Sequence, residues 1–515
     1  MTPFRITRLP ALALIGLIIG HTANAADSSS PRPNVLFIAV DDLRLELGCY
    51  GVKEIKSPNI DRFAASGVAF SRAYCQQAVC NPSRVSLMTG LRPDSTKVWD
   101  LVTEMRTKIP DVVTLPQYFR QNGYRAVAYG KIYHNIFPDA PSWDEPNHEV
   151  NPGDAVGFSN KNRKRLAAYR QTMKAEGKSE QAIQKMRGPA TEIQEQPDEK
   201  NPDGRRTTDA LVKLKELAGG PAPFFLAVGY IRPHLPFITP KKYWDLYDRA
   251  ALPLAANNFI PHGAPPVAFG DRWQGGLYEL RGYLDYTDAP SPFEKNLSEA
   301  QQRELKHGYY ASVSFIDAQV GRLLAGLDEL GLAKNTIVVL WGDHGWKLGE
   351  HGGWCKQTNY EIDTNAPLMI RAPGAAANGH GGTRALAEFV DIYPTLCELA
   401  ALPVPKSLEG TSLVPLLQGK AEKIKDAAFS QFPRNHGGID YMGYAMRTDR
   451  YRYIEWLNQS DGVVAARELY DHESDPQENE NIAGQPAQAG VVEALGIQLW
   501  KTLPRPAYGK AKSGP

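Results

Sequence analysis

"RPNVLFIAVDD", residues 32–42, decides the fold. Every residue from Val35 to Val40 is apolar, so a strand here would be dry on both faces, and two carboxylates, Asp41 and Asp42, follow at once. A strand buried on both faces belongs in a parallel sheet covered by helices. Three further runs repeat the pattern: "RAVAYGK" (125–131), "PFFLAVGY" (223–230) and "NTIVVLWGDHG" (335–345). Helical patterns separate them, such as "SPNIDRFAAS" (57–66) behind Ser57 as an N-cap, and a long amphipathic stretch from 298 to 331. Strands alternating with helices predict an α/β fold, a mainly parallel sheet sandwiched by helices.

In each run the polar residues come just after the apolar ones. Asp41 and Asp42 follow the first, Lys131 and His134 the second, His234 the third, and Asp343 and His344 the fourth. Open α/β sheets bind ligands at the carboxyl ends of their strands, so one site fed by four strands is expected.

The first thirty residues, "MTPFRITRLPALALIGLIIGHTANAADSSS", carry Arg5 and Arg8, an apolar run from Leu9 to Gly20 and the small-residue pattern Ala23-Asn24-Ala25. This reads as a secretory signal peptide over 1–25, predicting export to the periplasm or outside the cell with no stable membrane insertion after cleavage. Residues 26–420 are expected to form the catalytic domain. From about 421 the pattern changes: "GYAMRTDRYRYIEW" (443–456) alternates like a hairpin and "VVEALGIQLWKTL" (491–503) closes as a helix, so 421–515 reads as a smaller C-terminal α+β subdomain. The polar stretch 150–220 reads as surface helices inserted into the core fold, and 371–385 as a Gly/Ala loop.

Lys and Arg number 58 against 57 Asp and Glu. That balance supplies no field to attract nucleic acid, so an anionic substrate must be held by a local cluster. The five cysteines (Cys49, Cys75, Cys80, Cys355, Cys397) are too few for a disulfide scaffold, and their odd number leaves one unpaired after export. Cys80 is the choice for that one, and Cys397, on an apolar helix face, reads as a small buried hydrophobe.

Asp41, Asp42 and Asp343 converging at strand ends would repel one another strongly without a cation, and oxygen-dominated ligation points to calcium or magnesium. Arg84, Lys131 and Lys356 are candidate anion clamps, and His134 and His234 candidate acid and base. Taken singly, each is an ordinary surface charge or structural histidine; their placement is what singles them out. In "CNPSRVSLMTG" (80–90), Pro82 suits a first helical turn whose N–H groups form an anion site beside residue 80, so a thiolate there would be acidic and reactive. Yet no partner of a cysteine hydrolase is visible, and a thiolate beside a hard cation is poor chemistry. Position 80 calls for an oxygen nucleophile, and the gene encodes sulfur.

"CNPSRVSLMTG" resembles the type I sulfatase signature, Cys-x-Pro-Ser-Arg followed by Thr-Gly, in which the cysteine is oxidised to formylglycine and the hydrated aldehyde supplies a hydroxyl nucleophile. "VLFIAVDDLR", "YGKIYH", "GYIRPHLPF" and "WGDHGWKLGEHGGWCK" fall in that family's order and spacing. Within it, "QQAVCNPSR", "LGEHGGW", "SQFPR" and "MGYAMRTDRYRYIEW" are most similar to the iduronate-2-sulfatase branch and its bacterial relatives; the likeness weakens through 150–220 and around 255–300, where loops that choose the substrate would lie. The resemblance implies an alkaline-phosphatase-like sandwich with a smaller C-terminal subdomain. It implies one calcium ion, with magnesium as the alternative, on Asp41, Asp42, residue 80, Asp343 and His344. Arg84 would hold the hydrated aldehyde, Lys131 and Lys356 the sulfate oxygens; His234 would protonate the leaving alcohol, His134 would help expel sulfate and reform the aldehyde, and Asp343 would serve as base. Trp346 and His351 would contact the sugar ring.

The implied partners are a sulfated saccharide, with a 2-O-sulfated uronic acid of a glycosaminoglycan or similar polysaccharide as the family-level expectation, and a formylglycine-generating or anaerobic sulfatase-maturating enzyme. Two alternatives stand beside this: an arylsulfatase or a phosphate or phosphonate monoester hydrolase of the same superfamily, and a sulfated-glycan binding protein that has lost the chemistry. A single carboxylate cluster favours sulfate over the more highly charged phosphate, and the presence of nucleophile, carboxylates and lysines together argues for an enzyme.

Overall fold

The computed structural model describes residues 1, 32–134, 136–147, 157–271, 276–374 and 382–508. The expected signal peptide lies outside them, as does the middle of the expected Gly/Ala loop.

Six strands form the central sheet: β1 (Asn34–Val40), β2 (Val68–Phe70), β3 (Arg125–Gly130), β4 (Phe224–Tyr230), β5 (Thr336–Gly342) and β6 (Leu368–Arg371), in the order β2-β6-β5-β1-β4-β3. The four strands read from the sequence are the four adjacent parallel ones, β5-β1-β4-β3. Strand β6 runs antiparallel to both β5 and β2, which makes the sheet mixed.

The all-apolar strands face two cores. Leu36, Ile38 and Val40 of β1 enter one with Leu226, Val228, Val338 and Leu340; Val35, Phe37 and Ala39 enter the other with Phe225, Ala227, Ile337 and Val339. Helix α1 (Cys80–Thr89) lies over the second face, with Ile392–Leu399 beyond it. The first face is covered by α2 (Pro202–Ala218) and α4 (Glu299–Glu329); Ser298 closes α4 with a capping box to Gln301.

Helix α2 corrects the expectation for 150–220. Asn160–Ala175 is largely exposed, but α2 packs on the sheet through Ala210, Leu214 and Leu217, and Thr191–Gln194 pairs in parallel with Phe237–Pro240. Its apolar stripe at i, i+4 and i+7 is narrow, and the Lys and Glu between its members masked it.

After the sandwich, β7 (Ala428–His436), β8 (Ile439–Arg447), β9 (Tyr451–Asn458) and β10 (Val464–Asp471) form an antiparallel sheet in sequential order. Helix α5 (Ala489–Thr502) packs on it through Leu495 and Leu499. The fold is thus the sandwich with a smaller C-terminal antiparallel sheet. All five cysteines are free, and Cys397 is fully buried among apolar side chains. Among the described residues no helix is long and apolar enough to cross a membrane.

Leu36 lies at the centre of the first core, so Leu36→Ala is expected to cost about 2–5 kcal/mol. Urea unfolding checks this; a loss below about 1 kcal/mol would place β1 outside the core.

Candidate active site

Register builds the site. Val40 lies opposite Gly342 on one side and Tyr230 on the other, so Asp41 and Asp343 leave neighbouring strands at the same level. Inside a strand, Asp41 and Asp42 would point to opposite faces. Asp42 instead adopts φ +60°, a left-handed turn that aspartate tolerates, and its carboxylate swings toward the same centre. Its N–H donates to Asp343 Oδ1 at 3.0 Å. Residue 80 enters from the start of α1, with Sγ 3.4 Å from Asp41 Oδ1 and 3.5 Å from His344 Nε2. Ligand atoms of Asp41, Cys80, Asp343 and His344 all lie within 4.8 Å of one another, as do those of Asp41, Asp42, Cys80 and His234.

Arg84, one turn along α1, is wholly buried under this cluster. Its Nε donates to Asp343 Oδ2 (2.9 Å), Nη2 to Asp41 Oδ1 (3.1 Å), and Nη1 to the carbonyls of Lys131 (2.6 Å) and Ile132 (3.0 Å). Four of its five N–H donors are therefore committed to holding two carboxylates and the turn after β3. One N–H is left without a partner among the described residues.

Lys131 pairs with Asp41 and lies 3.7 Å from Cys80 Sγ. Its turn passes so close to β4 that a side chain at Gly229 would overlap the Lys131 carbonyl. Lys356 Nζ reaches Asp42 at 2.8 Å from a strained loop, Cys355 and Gln357 on either side having φ +67° and +87°. The C-terminal sheet grips that loop: Arg434 of β7 donates to the Gln357 carbonyl, and Asn359 donates to the Gly443 carbonyl of β8. Arg434 lies in "SQFPR", so that motif supports the site without entering it.

Glu279 was missed by sequence reasoning. It sits on the short helix α3 (Leu277–Leu280), with Oε1 3.1 Å from His234 Nε2 and Oε2 3.2 Å from Lys356 Nζ. No periodicity or flanking motif marks it.

Four carboxylates, Asp41, Asp42, Asp343 and Glu279, thus face three permanent cations, Arg84, Lys131 and Lys356. Burial raises Asp41, but Lys131, His234 and Arg84 outweigh it and hold this carboxyl well below its usual range. Burial also raises Asp42, the Asp41 charge adds to that, and Lys356 does not compensate, so Asp42 stands well above its usual range. Lys356 is itself raised despite burial, by Asp42, Cys80 and Glu279. Four carboxylates against three permanent cations leave the centre with excess negative charge.

A divalent cation fits that centre. His344 Nδ1 is 2.9 Å from the Gly345 carbonyl, so its N–H is placed there and Nε2 faces Asp42 Oδ1 (3.5 Å) and Asp343 Oδ1 (3.6 Å), where it would offer a lone pair to a bound ion. Three carboxylates with one imidazole suit calcium or magnesium.

Three expectations change. Cys80 is not acidic: burial and Asp41 push its thiol up to about 12 against Lys131 and Lys356, because it is sealed among carboxylates rather than presented to a helix end in water. Trp346, expected against the sugar, is 1% exposed, packed on Tyr309 with the Lys356 ammonium 5.0 Å over its ring. His351 is also 1% exposed; its Nε2 meets the Gln477 carbonyl at 2.8 Å and its ring packs edge-on to Tyr360. Trp346 backs the site behind Lys356 and His351 packs away from it, which leaves neither ring a free face. His134 is close by, lowered to about 3 by burial and Lys131, and its buried Nδ1 has no hydrogen-bond partner among the described residues.

Comparison with known proteins gives the following. The sulfatase family model matches residues 33–402, and that of the N-sulphoglucosamine sulphohydrolase C-terminal region matches 349–504. Iduronate 2-sulfatase of Mus musculus is 34% identical over 549 residues, covering 92% of this chain and 95% of that protein. A protein solved in complex with its substrate D-glucosamine-2-N,6-O-disulfate superposes with a TM-score of 0.70 at 23% identity, covering 93% of this chain and all of that one. Phosphonate monoester hydrolase of Silicibacter pomeroyi gives 0.69 at 22% identity, covering 91% and 95%. At these identities the two structures speak to the fold alone.

Calcium added to chelator-treated protein should raise its thermal midpoint, by about 2.7 kcal/mol of stability at a free concentration about a hundredfold above Kd. Asp343→Asn should lose most of that gain. A calorimetric scan without any shift, or with an equal shift in the variant, would contradict the cation fit.

Proposed function

Because this chain belongs to the sulfatase family, we propose that it removes sulfate from a 2-O-sulfated uronic acid of a glycosaminoglycan or similar polysaccharide, with residue 80 as formylglycine and one calcium ion. The convergence of Asp41, Asp42, Asp343 and His344 on residue 80 is the observation that carries this reading. A calcium ion held by those four and residue 80 would supply positive charge beside the sulfate oxygens. The 2-O-uronate choice rests on the 34% identity to iduronate 2-sulfatase over nearly the whole of both chains.

Each of the chain's own residues has a task that its surroundings suit. Lys131 brings its ammonium to Asp41 and Lys356 to Asp42, where they would take the peripheral sulfate oxygens as charge moves to the leaving oxygen. Arg84 keeps Asp41 and Asp343 aimed, with one N–H to spare for the hydrated aldehyde. Asp343 would take the proton of the attacking hydroxyl. His234 retains some exposure, as does Glu279 beside it, which suits protonation of the departing alcohol on the side from which a saccharide would arrive. His134, kept neutral by burial, suits a base in the step that reforms the aldehyde. Export, through Arg5, Arg8 and the apolar run that follows, would bring the enzyme to an extracellular or periplasmic polysaccharide. A maturating enzyme would have to oxidise Cys80.

Protein expressed in a host able to install formylglycine should desulfate 2-O-sulfated uronic acid disaccharides in preference to N- or 6-O-sulfated ones and to phosphate monoesters. Its tryptic peptide containing residue 80 should carry the aldehyde in mass spectrometry, and Cys80→Ala should lose all turnover. Activity from a peptide that is wholly thiol would sink the formylglycine reading; preference for another ester would sink the substrate.

A further inference from the structure

Glu279 belongs to no motif, comes from the stretch 255–300 where likeness to sulfatases is weak, and yet touches two of the residues just assigned to the reaction. Its backbone is placed with little freedom. Gly276, at the head of α3, has φ +98°, and a side chain there would overlap the carbonyl oxygens of Trp354 and Lys356, so α3 lies directly on the loop that carries Lys356. Arg187 and Tyr283, joined at 2.9 Å, close the other side. Glu279 is thereby held between the two groups. Burial would raise its carboxyl, but Lys356 and His234 outweigh that and hold it well below its usual range, so it is an anion.

Nδ1 of His234 meets the Leu235 carbonyl at 2.5 Å and Nε2 meets Glu279 at 3.1 Å; both partners are acceptors, so both contacts are made by the protonated ring, and the Nε2–H resting on Glu279 is the proton that a departing ester oxygen would take. The ring stands 6.4 Å from that of Trp346, over which Lys356 lies, so His234, Trp346 and Lys356 form one wall with Glu279 at its open end. A carboxylate can accept from both His234 and Lys356 at once. An amide in its place can accept from only one and must turn an N–H toward the other.

We propose that Glu279 is a positioning residue of the leaving-group side, whose two carboxylate oxygens hold the Nε2 edge of His234 and the ammonium of Lys356 together where the ester oxygen departs. The proposal rests on the sulfatase reading for its consequence in turnover, and on geometry alone for the contact itself. Acid assistance matters most for a poor leaving group, so the effect is selective. A carboxylate that did no more than neutralise Lys356 would alter all esters alike.

The experiment compares wild type, Glu279→Gln, Glu279→Asp, His234→Ala and the Glu279→Gln/His234→Ala double variant on 4-nitrophenyl sulfate and a 2-O-sulfated uronic acid disaccharide. Glu279→Gln is expected to lower kcat/KM on the sugar ester by about 100-fold and on the aryl ester at least about tenfold less. Glu279→Asp, which keeps the charge and shortens the reach, should fall between. The double variant should lose no more on the sugar ester than His234→Ala alone, because the two residues act as one unit. Equal losses on both esters, or additive losses in the double variant, overturn the proposal. A second readout needs no turnover: in protein labelled with [15N]histidine, the Nε2 proton signal identified by its loss in His234→Ala should shift or vanish in Glu279→Gln. An unmoved signal overturns the contact, whereas wild-type protein inert on every sulfate ester, with the signal behaving as expected, overturns the sulfatase reading and leaves the contact standing.

Discussion

Asp41, Asp42 and Asp343 lie fully buried at the ends of two adjacent strands, where no water screens them. A carboxylate moved into such a place costs several kcal/mol unless a partner compensates, and three together add mutual repulsion. Much of the surrounding architecture answers that cost. Arg84 ties two of them to one guanidinium, Lys131 pairs with Asp41 and Lys356 with Asp42, and His344 turns its Nε2 inward. With Glu279 beside Lys356 the carboxylates number four against three permanent cations, so the arrangement is still short of positive charge. A fold optimised for stability alone would have no reason to keep this cluster. One that must bind a hard cation, and through it an anionic ester, does.

The neutralising groups come from far along the chain. Arg84 pairs with Asp343 across 259 residues, and Lys356 with Asp42 across 314. Only a parallel sheet, whose strand ends all open on one edge, lets segments so distant meet without long unsupported loops. The C-terminal sheet completes the site from behind. Arg434 is almost fully buried with backbone carbonyls as its hydrogen-bond acceptors, and burial lowers it to about 9. A guanidinium under that burden earns its place by fixing the strained turn that presents Lys356. Arg452 does the same work nearby, bridging Glu361 and Glu478 between the sandwich and the small sheet. The two sheets therefore form a single functional unit, although the smaller one supplies none of the residues assigned to the reaction.

What could be read from the sequence follows from what each feature depends on. The four parallel strands were legible because runs of five to seven consecutive apolar residues have few other uses, and Asp41, Asp42, Asp343 and His344 because they sit where such runs stop. The convergence of these residues followed from register and from the turn at Asp42. Helix α2 was misread because its charged residues outnumber its narrow apolar stripe, and the stripe matters only once a sheet is present to receive it. Trp346 and His351 lie in conspicuous motifs, yet their types serve packing as well as recognition, and nothing local distinguishes the two. Glu279 left no trace at all. Its role depends on a glycine-bounded approach between α3 and the Lys356 loop, eighty residues further on by sequence, and a lone glutamate in a weakly patterned stretch cannot announce a tertiary contact.

Residue 80 shows why local rules must be weighed against tertiary ones. The start of a helix favours an anion by about 0.3–1 kcal/mol, which underlies the expectation of an acidic thiolate. Sealing the same sulfur beside Asp41 moves its thiol from 9.0 to about 12, worth on the order of 4 kcal/mol in the opposite direction. With no cation seated beside it, burial and the neighbouring carboxylates outweigh the helix start, so an encoded cysteine left unmodified would keep its proton at neutral pH. The pocket thus suits a group that is neutral at rest and loses its proton only as it attacks. A hydroxyl on a hydrated aldehyde would meet that condition, and Asp343, held in place by Arg84, is the residue proposed to take its proton. The same carboxylates that disable the thiol are the ones that would seat a cation, which ties the choice of nucleophile to the choice of metal in one electrostatic design.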